Sequence, residues 1–129
     1  MTNVKDERKE IIALENFSWN PFGLSSESHR NWTLRCLEIA ITKHKVKLME
    51  MDILDFKNNY VDSAPSLIFL DADHSYEAAK SDIQWAKKVG TKIISGHDFS
   101  DEWPGVKRAV QEEFGSNFEV VESFWWSVQ

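Results

Sequence analysis

The chain has 129 residues, a length typical of one domain that buries its own core. Its formal net charge of −6 argues against a surface for nucleic acid. The first ten residues are rich in charge and no apolar run approaches about 18 residues, so we expect no signal peptide, no membrane span and a cytoplasmic protein. The single cysteine, Cys36, excludes an internal disulfide, and its helical context predicts a buried thiol.

In the first half of the chain, apolar runs alternate with capping and turn residues. The pattern predicts a strand over residues 9–14 that ends at Glu15, a helix from Ser25 or Ser26 to about Lys43, a strand over Val46–Met51 that ends at Asp52, and a short helix or turn over 52–59. The stretch 17–23 between the first strand and the helix contains Asn-Pro and Gly and is predicted to be a loop.

The second half predicts two more strands, two more helices and a C-terminal hairpin or bent strand. They are a strand over Ser66–Leu70, a helix capped by Ser75 with Tyr76, Ala79, Ile83 and Ala86 facing inward and Gly90 after its end, a strand over Thr91–Ser95, a helix from Pro104 to Gly115, and the runs 118–122 and 124–128, which form a hairpin or one bent strand. This alternation predicts a single α/β domain over residues 1–129, with a mostly parallel sheet covered by helices on both faces.

Polar side chains follow two of these strands where the strands end. Asp71, Asp73 and His74 follow the strand that begins at Ser66, and His97 and Asp98 follow the next one. Because carboxyl ends of parallel strands meet at one edge, we expect a metal or acid–base site there. The alternative is that the carboxylates cap the helices that follow them.

The phrases F-L-D-A-D-H-S-Y-E, G-H-D-F and P-G-V-K-R-A-V, in this order and spacing, resemble the second half of class I S-adenosylmethionine-dependent methyltransferases. The small-molecule O-methyltransferase branch is the most similar. The resemblance covers residues 66–114 and extends in register back to about residue 9. It implies a Rossmann-like, doubly wound, mostly parallel sheet with a C-terminal antiparallel strand or hairpin.

The resemblance also implies roles for the matching residues. Glu15, Asp52 and Asp71 stand at positions that bind S-adenosylmethionine, where Glu15 holds the ribose hydroxyls and Asp52 lies near adenine. The positions of Asp71, His97 and Asp98 match the ligands of Mg²⁺ in metal-dependent members, although a histidine also suits manganese, iron or zinc. His74 or Asp73 is the expected base for the acceptor hydroxyl.

The family's first strand and its G-x-G-x-G loop should precede Glu15, and the sequence has neither. That strand lies in the family between the strands that end here at Glu15 and Asp71. The absence of this strand leaves three possibilities: the flanking strands pair directly, another subunit supplies a strand between them, or the sheet is split. We therefore expect a homo-oligomer or a partner chain that covers the missing strand.

The expected function is methyl transfer from S-adenosylmethionine to an oxygen of a small molecule or sugar, with or without the help of a divalent metal. The alternative is a non-catalytic remnant of the methyltransferase fold that acts as a binding or assembly module. A third possibility is a metal-dependent hydrolase or lyase that uses the same acidic edge.

Overall fold

The described residues of the computed structural model, 10–19, 21–43 and 46–129, form strands and helices in two units, Met1–Tyr60 and Val61–Gln129. The first unit contains β1 (Ile11–Glu15), α1 (Ser26–Lys43), β2 (Val46–Glu50) and α2 (Ile53–Asn59), with a short 3-10 turn at Pro21–Gly23. The second contains β3 (Leu67–Leu70), α3 (Tyr76–Lys88), β4 (Ile93–Gly96), α4 (Pro104–Phe114), β5 (Glu119–Val121) and β6 (Phe124–Val128). The single domain expected from the sequence stays a prediction.

In the first unit, β1 and β2 form a parallel pair in which Glu15 lies opposite Glu50. Lys9, where we expected the first strand to begin, lies outside the described residues. Helix α1 has the predicted bounds, but the prediction of a buried Cys36 is wrong because its side of the helix is exposed. The buried residue of α1 is His29, which packs edge-on against Phe17.

In the second unit, four strands form a sheet in the order β3-β4-β6-β5. Strands β3 and β4 are parallel, whereas β6 pairs antiparallel with both β4 and β5. The two runs predicted near the C-terminus, 118–122 and 124–128, therefore form a hairpin and not one bent strand. Its turn residue Glu122 has a φ of 57°, a left-handed conformation that is uncommon for a residue with a side chain. The mixed α/β fold with parallel strands and a terminal antiparallel hairpin is confirmed.

Helices α3 and α4 pack side by side on one face of this sheet and enclose the core of the second unit. The predicted inward stripe of α3 is confirmed, since Ile83 and Ala86 are fully buried and Tyr76 and Ala79 pack against them. Burial of a large aliphatic side chain contributes about 1.5–3 kcal/mol relative to its exposure. The sheet contributes Ile94 and Trp125 to the same core.

Local signals determine the ends of both helices. The Ser75 hydroxyl accepts a hydrogen bond from the Ala78 N–H, as expected for an N-cap, and Gly90 follows the last turn of α3 with a φ of 83°. Pro104 is the first residue of α4. An N–H at this position would have no partner within the helix, so proline costs no hydrogen bond there. None of the described helices is both long enough and apolar enough to cross a membrane.

A charged cluster joins α3 and α4. The Glu112 carboxylate accepts hydrogen bonds from Tyr76 Oη at 2.5 Å, Lys80 Nζ at 2.9 Å and Arg108 Nε at 2.8 Å. These three donors, with the Tyr76 hydroxyl the largest contributor, lower the pKa of Glu112 to about 2. The Arg108 guanidinium also lies 4.1 Å from the centre of the Tyr76 ring.

Candidate active site

The parallel pairing of β3 and β4 brings their carboxyl ends together. Leu70, the last residue of β3, lies opposite Gly96, the last residue of β4. A Cβ on Gly96 would lie 2.5 Å from the Leu70 carbonyl oxygen and 2.6 Å from Cζ2 of Trp125, so a residue without a side chain is required. This close approach positions the residues that follow the two strands, Asp71 and Asp98, beside each other.

Asp71, His74 and Asp98 form a compact cluster at this edge. One ligand atom from each residue lies within 4.8 Å of the other two. His74 Nε2 is 2.7 Å from Asp98 Oδ2 and 3.6 Å from Asp71 Oδ1. Asp98 adopts a φ of 62°, a left-handed conformation that aspartate tolerates better than most residues.

His74 Nε2 is buried and has no hydrogen-bond partner among the described residues. Its short distance to Asp98 is an ion-pair distance without the geometry of a hydrogen bond. A buried nitrogen that faces two carboxylates without a hydrogen bond is poorly satisfied by the protein alone. Two carboxylate oxygens and one imidazole nitrogen are a donor set that fits a divalent transition metal.

Contacts with Trp103 and with the backbone at Gly105 hold His74 in place. The ring of Trp103 lies over the imidazole of His74, with 4.4 Å between the ring centres and 32° between the planes. Gly105 lets the start of α4 approach closely, because a Cβ there would lie 2.6 Å from the His74 carbonyl oxygen. These contacts are made by residues at and near the start of α4.

His97 uses both of its ring nitrogens within the protein. Nδ1 lies 3.0 Å from Asp98 Oδ1, and Nε2 shares a hydrogen bond of 2.8 Å with the Ser123 hydroxyl. The carboxylate of Asp98 therefore faces His97 with one oxygen and His74 with the other. The assignment of His97 as a metal ligand stays a prediction, and in this geometry it orients Asp98.

Among the described residues, Asp73 is not part of this cluster. Its Oδ1 accepts a hydrogen bond of 2.7 Å from the N–H of Ser75, where it supports the start of α3. That hydrogen bond, together with one from the Ser75 side chain, lowers the pKa of Asp73. A lower pKa makes a carboxylate a weaker base, so the geometry favours the capping alternative for this residue.

Glu15 and Asp52 belong to the first unit. Glu15 Oε1 accepts a hydrogen bond of 2.7 Å from the N–H of Phe17. Asp52 is the N-cap of α2, with Oδ1 accepting a hydrogen bond of 2.8 Å from the N–H of Leu54. Their roles toward a cofactor stay predictions.

The residue that sequence reasoning missed is Ser123. It lies in the β5–β6 turn, 26 positions from His97, with which it shares a hydrogen bond, and nothing in the local sequence links the two. The antiparallel pairing of β4 with β6 sets Gly96 opposite Trp125 and so brings this turn beside the end of β4. Only a correct antiparallel register would have predicted this contact.

No protein-family model matches the sequence, and no curated protein matches it. Solved structures do match. An O-methyltransferase from Bacillus cereus, determined in complex with SAH, has a TM-score of 0.62 at 18% identity. It is matched over 93% of this chain and 63% of its own length.

Two further solved structures agree. A putative O-methyltransferase from Klebsiella pneumoniae has a TM-score of 0.65 at 18% identity, over 93% of this chain and 62% of its own. CalS11, a TDP-rhamnose 3'-O-methyltransferase of calicheamicin biosynthesis, has a TM-score of 0.60 at 17% identity, over 93% of this chain and 58% of its own. The chain thus has the Rossmann-like fold of O-methyltransferases, as its resemblance predicted. It spans about three-fifths of the length of these proteins.

Proposed function

We propose that the protein is an S-adenosylmethionine-dependent methyltransferase that methylates an oxygen of a small molecule or sugar, with a divalent cation bound by Asp71, His74 and Asp98. The observation that carries the proposal is the cluster of these three side chains at the strand ends of an O-methyltransferase-like fold. Open α/β sheets bind their ligands at this edge.

The donor set supports a cation. Asp71 and Asp98 bring two carboxylates near each other, an arrangement that a positive ion between them stabilises. His74 contributes the buried nitrogen that lacks a hydrogen bond. With an imidazole among the ligands, manganese, iron or zinc suits the site better than magnesium, which prefers oxygen ligands.

The residues around the cluster would maintain its geometry during methyl transfer. His97 faces the carboxylate of Asp98 with Nδ1 and is itself held at Nε2 by the Ser123 hydroxyl, and Trp103 covers one face of the His74 ring. A divalent cation, when bound there, stabilises negative charge on an acceptor oxygen as its proton leaves.

The reaction itself is an in-line displacement. The acceptor oxygen forms a bond to the methyl carbon while the carbon–sulfur bond breaks, and the electron pair of that bond stays on sulfur, which becomes a neutral thioether. In a metal-independent form of the reaction, His74 would take the proton of the acceptor hydroxyl, with the Asp98 carboxylate stabilising the imidazolium. The effect of metal removal on activity distinguishes the two forms.

For the cofactor, we propose that the second carboxylate oxygen of Glu15 accepts hydrogen bonds from the ribose hydroxyls and that Asp52, in the same unit, contacts the adenine end. The assignment of Asp71 to the cofactor stays a prediction. The solved neighbour from Bacillus cereus was determined with SAH, which supports a cofactor of this class. Asp52 could contact the cofactor and still cap α2, because only one of its two carboxylate oxygens accepts the Leu54 N–H.

Titration calorimetry with SAH on the full chain tests the cofactor. We expect binding that Glu15→Ala weakens at least tenfold and that Asp62→Ala, an exposed carboxylate of the second unit, leaves unchanged. A folded protein that binds no SAH at millimolar concentration would refute the enzyme proposal. That result would favour the binding or assembly module.

Binding of Mn²⁺, followed by electron paramagnetic resonance of the free ion, tests the metal site without an activity assay. Asp71→Asn, His74→Ala and Asp98→Asn should each weaken binding at least tenfold, whereas Asp62→Asn should not change it. Equal affinity in Asp98→Asn and the unmutated protein would contradict the assignment of this cluster.

A further inference from the structure

The sheet of the second unit has one face that α3 and α4 do not cover. Side chains alternate along a strand, so the residues opposite the helix-covered core positions share this second face. Its large apolar members are partly exposed: Leu67 by 54%, Phe69 by 50%, Val121 by 60%, Phe124 by 38% and Val128 by 62%. They come from β3, β5 and β6, three of the four strands, and we call them the open face.

The open face is continuous. The rings of Phe69 and Phe124 stack with their centres 5.9 Å apart, and Phe124 lies 5.7 Å from the ring of Trp126. Register places Glu119 on this side at the outer strand, where it forms part of a polar rim. An apolar centre with a polar edge is the usual anatomy of an interface between proteins.

The size of the open face decides what could cover it. From their exposed fractions, the five residues present on the order of 500 Å² of mainly apolar surface, toward the upper end of what a monomer shows. A stable interface buries about 800 Å² on each partner, of which roughly 60% is apolar, or about 480 Å². One such face from each of two molecules therefore supplies the apolar area that a dimer needs.

The edge of β3 adds to this surface. The carbonyl oxygens of Ser66, just before β3, and of Leu70, its last residue, accept hydrogen bonds from the N–H groups of Ile93 and of His97, which directly follows β4. The backbone groups of Leu67 and Phe69 consequently point to the other side, where no described strand pairs with β3. The strand carries no charge that would oppose association, although edge strands are commonly protected by charged residues.

We propose that a second copy of this chain covers the open face, with the two sheets packed face to face about a two-fold axis. In such a dimer each patch meets its own copy, so an uncharged aromatic and aliphatic surface is complementary to itself. The aligned packing of two sheets about 10 Å apart buries alternate side chains of both. Phe69 and Phe124 form the centre of the contact.

Sedimentation equilibrium of the full chain over nanomolar to high micromolar concentrations tests the proposal. We expect a dimer whose dissociation constant rises at least tenfold in Phe69→Glu and in Val128→Glu. The control is Val61→Glu, since Val61 is 91% exposed and lies outside the open face. That variant should associate like the unmutated chain.

Circular dichroism first establishes that each variant is folded. If Phe69→Glu fails to fold, Val128→Glu decides alone, because its side chain lies at the end of β6 and is largely exposed. A monomer at every concentration would overturn the proposal. A dimer that folded Phe69→Glu and Val128→Glu leave unchanged would overturn it as well, since another surface would then hold the two copies together.

Discussion

Replacement of Gly96 by alanine tests how the strand ends are held together. The added Cβ would lie 2.5 Å from the Leu70 carbonyl oxygen and 2.6 Å from the Trp125 ring. Contacts between heavy atoms are favourable near 3.5–4.0 Å, so both neighbours would have to move by roughly 1 Å. One neighbour is backbone and the other is a fully buried ring, so neither moves freely.

The expected cost follows from this crowding. Overpacking of a well-packed core costs typically about 1–3 kcal/mol, and a contact with backbone places Gly96→Ala near the top of that range, at about 3 kcal/mol. This is a large share of the 5–15 kcal/mol by which proteins of ordinary stability are folded. For a chain of this length it corresponds to a fall in Tm of roughly 10 °C.

Urea denaturation followed by tryptophan fluorescence measures this loss of stability, because the buried ring of Trp125 packs against residue 96. The control is Gly115→Ala: Gly115 has a φ of 60° but no atom within 4 Å of an added Cβ. It should cost only the backbone strain, about 1–3 kcal/mol, because a φ of 60° with a ψ of −109° is rarely adopted by residues with side chains. A Gly96→Ala protein within 0.5 kcal/mol of the original would refute the reasoning about close approach.

Three further predictions concern the core, the charged cluster and the site. Ile83→Ala should destabilise the protein by about 2–5 kcal/mol in urea titrations, while Leu54→Ala, which is mostly exposed, should cost less than about 1 kcal/mol. Because the folded pKa of Glu112 is about 2 and its ordinary value is 4.5, its stabilising effect is full above pH 4.5 and is lost as the pH falls toward 2. The stability difference between the protein and Glu112→Gln, measured by thermal unfolding, should therefore shrink over that range; a difference that grows on acidification would contradict it. Ser123→Ala removes a hydrogen bond from His97 and should weaken Mn²⁺ binding about tenfold without loss of helical circular dichroism, and unchanged affinity would exclude a positioning role for the serine.

Much of the second unit could be predicted from local sequence. The bounds of α3 and α4 depend on Ser75, Pro104 and Gly115, whose effects on capping and φ extend over only a few residues. The spacing of Ile83 and Ala86 identified the buried side of α3. The face of α1 was not predictable in this way, since Cys36 is exposed and His29 is buried, and periodicity does not say which side of a helix meets a partner.

The sequence by itself determined that carboxylates and histidines follow two neighbouring parallel strands, because strand ends and turn residues are local signals. Only the tertiary structure decided which of them meet. His74 joins Asp71 and Asp98 because Trp103 and Gly105 hold it there, and His97 turns to Ser123 because β6 returns antiparallel beside β4. These contacts join residues far apart in the chain, and their register depends on the packing of the whole sheet.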